Sequence, residues 1–132
     1  MKRDMDLVRK ILFYIEENYR AGLGKINVKI DGYNNNVIYE HCKLIFQAGL
    51  IQSFDECSTM SSCECMVGNL SNAGYDYLDK IRENTIWNKT KEIIKKKGLP
   101  MIIDTIKTIS TAIISAATEG AVSAYLKNGG QP

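Results

Sequence analysis

Apolar residues return at every third or fourth position from the start of the chain. Met5, Val8, Ile11, Leu12, Ile15 and Tyr19 form one stripe, and this spacing predicts a helix over 4–19. Asp4 is placed to cap its start, Asp6 sits where the helix dipole favours an anion, and Gly22 and Gly24 stop it. The period then changes to two. Ile26, Val28 and Ile30 alternate with Lys25, Asn27 and Lys29, the mark of a half-buried strand over 25–30, and Asp31-Gly32 turns the chain. Asn34, Asn35 and Asn36 are cap candidates for a second helix over 37–48, with Ile38, Cys42, Ile45 and Ala48 on one face. Gly49 is a left-handed helix terminator by position, and Leu50 is the apolar residue expected to fold back onto Ile45.

Residues 50–57 and 63–70 read as two strands joined by the small polar stretch Ser58-Thr59-Met60-Ser61-Ser62. Ser71 can cap a third helix, with Leu70 and Tyr75 as a hydrophobic staple and Leu78 and Ile81 on its buried face. The pattern falters at 84–86, where a break is expected, and a further segment with Trp87, Ile93 and Ile94 runs to Lys97. Gly98 and Pro100 separate it from a last helix over 100–126. That helix has the stripe Ile102, Ile106, Ile109, Ile113, Ala116, Gly120 and Ala124. Its opposite face holds Thr108, Thr111, Ser115 and Thr118, polar but hardly charged, a pattern that fits burial on more than one side.

The order helix, strand, helix, strand, strand, helix implies an α+β, winged-helix-like domain over 1–98, in which the short helix before the recognition helix is missing or reduced. A C-terminal helical extension over 99–127, for packing or oligomerisation, and a loose tail over 128–132 complete the chain.

Composition narrows the picture. A chain of 132 residues with 45% hydrophobic and 24% charged residues can bury one core without disulfides. A net charge of +2 is too small to imply a polyanionic partner by itself. Acids at Asp4 and Asp6 stand where a signal peptide needs an apolar run, so a cytoplasmic location is expected, with Cys42, Cys57, Cys63 and Cys65 as thiols. The charge-free stretch Thr108 to Thr118 is far short of the ~20 residues that a membrane-spanning helix needs.

Three blocks resemble a known family. They are Met1-Lys2-Arg3-Asp4-Met5-Asp6-Leu7-Val8-Arg9-Lys10-Ile11-Leu12, then Tyr39-Glu40-His41-Cys42-Lys43-Leu44 with Ala48-Gly49-Leu50-Ile51, then Leu70-Ser71-Asn72-Ala73-Gly74-Tyr75-Asp76-Tyr77-Leu78-Asp79-Lys80-Ile81-Arg82 with Thr85-Ile86-Trp87-Asn88-Lys89. Together they resemble the bacterial and phage family called domain of unknown function 2513, over residues 1–97. The chain departs from it at Tyr39-Glu40-His41, where tyrosine directly before histidine is usual, and at Ser71-Asn72-Ala73, where Thr-Trp-Glu is usual. The resemblance implies a winged-helix-like fold and carriage by prophages or mobile elements, and implies no activity. Residues 99–132 lie outside it.

The chemistry-bearing residues support binding rather than catalysis. Cys57, Cys63 and Cys65 are weak metal candidates: zinc favours Cys-x2–4-Cys pairs, and a fourth ligand would have to be His41 or Cys42. His41 has no oriented carboxylate and nucleophile beside it, since its neighbour Glu40 points elsewhere on a helix. Neither a nucleophile elbow nor a glycine-rich phosphate loop is present. No catalytic residue, cofactor or small-molecule substrate is therefore expected.

For a winged helix the test of DNA binding is where the charge lies. Segment 50–70 has three acidic residues and no basic one, and helix 37–48 offers Lys43 and His41 but no arginine for guanine. Lys89, Lys91, Lys95, Lys96 and Lys97 cluster instead, either as a nucleic-acid patch or as cations favoured at a helix C-terminus. Nucleic acid is thus the disfavoured alternative. The small residues of the last helix permit close approach, and a homo-oligomer or a complex with another protein is the preferred expectation, with the stripe from Ile102 to Ala124 as its interface.

Overall fold

A computed structural model describes residues 1–56 and 64–127. Its helices are α1 (Met5–Asn18), α2 (Asn35–Gln47), α3 (Asn72–Ile81), α4 (Asn84–Lys96) and α5 (Ile103–Lys127), and its strands are β1 (Ile26–Asn27) and β2 (Met66–Val67). The protein is thus α+β and mostly helical, with a small antiparallel sheet and a long last helix. The chain divides into two compact units, Met1–Asp79 and Lys80 onward. The division falls inside α3.

Local signals act where the sequence puts them. Asp4 caps α1 by accepting from the Leu7 N–H at 3.1 Å, and Asn34 caps α2 by accepting from Val37 N–H at 2.9 Å. Gly49 has φ +78°; its N–H donates to Phe46 O and that of Leu50 to Ile45 O, the paired bonds of a glycine-terminated helix. Gly98, φ +65°, ends α4 the same way, with Leu99 N–H on Ile94 O. Ser71 Oγ accepts from Gly74 N–H at 3.0 Å and so caps α3.

In the first unit α1 packs on α2. Leu7, Ile11, Leu12, Ile15, Ile38 and Ile45 are fully buried. Burial of so much aliphatic surface, at about 1.5–3 kcal/mol per side chain, is the main stabilising contribution to this unit. Leu7 belongs to the core although it lies off the stripe read from the sequence.

The strands are shorter than the alternation predicts. β1 pairs with β2 through Ile26–Val67 and Asn27–Met66 alone. The arm at 50–56 meets 64–71 through single bridges, Ile51–Leu70 and Phe54–Val67, with Gln52 N–H on Asn69 O and Gly68 N–H on Ser53 O. Among the described residues only fragments of the expected strands 25–30, 50–57 and 63–70 are therefore regular. The expected connection 58–62, Cys57, Cys63 and the tail 128–132 lie outside the described residues.

Gly74 marks a close approach that periodicity does not reveal. A Cβ there would lie 2.0 Å from Leu50 O, so α3 can sit on the backbone after α2 only with glycine at this position. Tyr77 and Leu78 are then fully buried, whereas Tyr75 is part-exposed and its hydroxyl donates to Asn69 Oδ1 at 3.3 Å. The break after α3 falls at Arg82-Glu83, two residues ahead of the expected 84–86.

In the second unit α4 packs on α5. Thr90 and Ser110 are buried, and each hydroxyl donates to a carbonyl one turn back, Ile86 O and Ile106 O. Within the single chain α5 is buried on one side only. Ile106 and Ser110 are its buried residues, while Thr108, Thr111, Ser115 and Thr118 are exposed.

Candidate interaction surface

The helix lengths decide where the second unit is open. α4 has 13 residues and α5 has 25, so they run to about 20 Å and 38 Å. A connection over 97–102 is short enough to make them antiparallel neighbours. α4 therefore covers the first half of α5, and every residue from Ser115 to Lys127 is exposed.

Between them the two helices leave a groove of about 590 Å³. Ile93, Ile109 and Ile113 with Ala112, Ala116 and Ala117 give it an apolar wall, and Lys89 and Lys97 stand on the α4 side. Of the interface residues expected from the sequence, Ile106 is buried inside this unit, Ile102, Ile109 and Ile113 are half-buried, and Ala116, Gly120 and Ala124 are exposed. A Cβ on Gly120 would meet nothing. Sequence reasoning missed Ile93 as a groove residue. It also missed Val122, Tyr125 and Leu126, which are 51%, 53% and 66% exposed. Their spacing was the available signal: three large apolar residues within two turns on the helix side away from the Ile-Ala stripe.

Charge is divided unevenly between the units. Met1–Asp79 carries eight basic residues against eleven acidic ones, and the remainder carries nine against four. Lys89, Lys95, Lys96 and Lys97 are exposed, while Lys91 lies over the Trp87 ring at 5.2 Å.

The first unit accounts for the other candidates. His41 is 0% exposed. Its Nε2 accepts from the Asp4 N–H at 2.9 Å, so Nδ1 carries the proton and donates to Val37 O at 2.8 Å. It ties the start of α1 to α2 and has no nitrogen left for a nucleic acid or a metal. Lys43 is bound to Glu56 at 2.8 Å, and this partner raises the lysine pKa. Lys25 is paired with Asp55. Two of the three acids in segment 50–70 are thus matched by lysines from outside it, a balance invisible in segment counts.

The expectation of thiols fails for two cysteines. Cys42 and Cys65 are joined in a disulfide, 23 positions apart in sequence. The cap at Asn34 and the β1–β2 register bring α2 and the strand approach together, which spacing between cysteines cannot disclose. Cys65 is accordingly no longer available to the zinc arrangement considered with Cys57 and Cys63. Among the described residues no group of three His, Cys, Asp or Glu could hold a metal ion, and no helix is long and apolar enough to cross a membrane.

The model of a protein family described as "Hypothetical protein (DUF2513)" matches residues 2–100, so α5 lies beyond the matched segment. A protein of Haemophilus influenzae described as uncharacterized is 36% identical over 115 residues, covering 87% of this chain and 97% of that protein. No solved structure matches.

Proposed function

Since the chain belongs to the family described as "Hypothetical protein (DUF2513)", for which that description states no activity, we propose from the geometry alone that it is a non-catalytic interaction module that self-associates through α5. One observation carries this reading. The half of α5 from Ser115 to Lys127 is exposed on all sides and bears Val122, Tyr125 and Leu126. A bare helical stretch of this length is marginal in water, and burial of its apolar side chains against a second copy stabilises it. Co-expression of tagged and untagged copies tests it: the untagged copy is expected to be retained with the tagged one. Recovery of the tagged copy alone overturns the proposal.

The element order supports reading the first unit as winged-helix-like, with α2 in the recognition position, and carriage by mobile elements is what the resemblance of the three sequence blocks implies. The basic excess of the second unit supports a second reading, a DNA-binding regulator that uses Lys95, Lys96 and Lys97. That reading requires retention on random duplex at low salt, falling steeply with added salt and with Lys→Ala changes at 95–97. Absence of retention at low salt ends it.

A further inference from the structure

We propose that the groove between α4 and α5 is a docking site for an acidic amphipathic helix of a partner protein. The inference rests on the interaction-module reading but is independent of self-association, which uses the opposite face of α5, the one that bears Val122, Tyr125 and Leu126.

Three features select this occupant. The wall is aliphatic, with Ile93, Ile109 and Ile113 set among alanines, so the partner must present an apolar ridge. Lys89 and Lys97 flank Ile93 on one helix and stand eight residues apart, about 12 Å along the axis. That span matches two turns of a docked helix, so acids near the two ends of its apolar ridge would each meet an ammonium group. The α5 residues that line the groove carry no charge, Ala112, Ala116 and Ala117 being small and neutral. The field of the unit that holds the groove reinforces the local pattern, with nine basic residues against four acidic ones. Duplex DNA shares the charge requirement but has no use for an aliphatic wall, and a lysine-flanked ridge would be repelled.

The test uses the full chain and two designed helical peptides of roughly four turns. Both carry leucines at i, i+3, i+4 and i+7; one has glutamates beside the leucines and the other lysines. Fluorescence anisotropy is expected to show the glutamate peptide bound and the lysine peptide free. The double change Lys89→Glu with Lys97→Glu is expected to weaken the glutamate peptide by about tenfold and to admit the lysine peptide. Ala116→Trp, at an exposed wall position, is expected to block both peptides while leaving the lysines in place. Circular dichroism confirms that each variant keeps its helices. Equal binding of both peptides, no binding of either, or binding unchanged by Ala116→Trp overturns the docking site. None of these outcomes alters the co-retention of two copies, so failure here is distinguishable from failure of self-association.

Discussion

Replacing Gly74 by alanine sets two physical effects against each other with opposite signs. Gly74 lies inside α3 with no positive φ, so helix propensity alone predicts a gain of about 1 kcal/mol. The added Cβ, however, would meet Leu50 O at 2.0 Å and its carbonyl carbon at 2.9 Å. Neither atom is free to retreat. Leu50 N–H is held by Ile45 O, and Leu50 O accepts from Ser71 N–H at 2.9 Å, while Ser71 caps the same helix. Relief requires α3 to move off the α2 terminus by more than 1 Å, which exposes Tyr77 and Leu78. Overpacking of this kind costs about 1–3 kcal/mol, and a backbone–backbone clash belongs at the upper end. Net destabilisation of about 2 kcal/mol is expected once propensity is subtracted. Urea unfolding followed by far-ultraviolet circular dichroism measures it. A G74A chain with an unchanged or higher midpoint would refute the close approach of α3 to Leu50.

Further outcomes follow from other buried groups. Nitrogen-15 NMR of the His41 ring is expected to show the proton on Nδ1, and His41→Phe to cost about 1–3 kcal/mol because the Asp4 N–H loses its acceptor; a dominant Nε2–H tautomer would contradict the geometry. The Tyr77 hydroxyl is buried without a hydrogen bond among the described residues, and burial raises its pKa above the usual tyrosine range. The folded state therefore keeps a proton that the unfolded chain releases, so this stability is present below pH ~10 and lost above it. Tyr77→Phe should leave neutral-pH stability equal or higher and flatten the alkaline loss; an unaltered alkaline profile would count against it. Peptide mapping without reductant should recover Cys42 linked to Cys65, and reduction should lower stability by about 3 kcal/mol for a loop of this size; separate peptides would refute the pairing.

How much of this was legible in the sequence depended on distance along the chain. The caps at Asp4, Asn34 and Ser71 and the Gly49–Leu50 terminator act within a turn or two, and all four stand where residue type and spacing put them. His41 bonds a residue 37 positions away, Cys42 pairs across 23, and Gly74 meets Leu50, so none of these roles has a local signature. Alternation identified the strand regions but not how few residues would pair, because pairing depends on what the neighbouring segment offers. For α5 the stripe showed a face able to pack. It could not show that α4, half as long, covers only the first part of it.

Sedimentation equilibrium on the full chain and on Leu126→Glu, run side by side over a wide concentration range, tests the exposed half of α5 most directly. The account predicts a dimer or larger species for the unaltered chain and a monomer for the variant. A monomer for the unaltered chain at every concentration, or an assembly indifferent to the charge at Leu126, would contradict it.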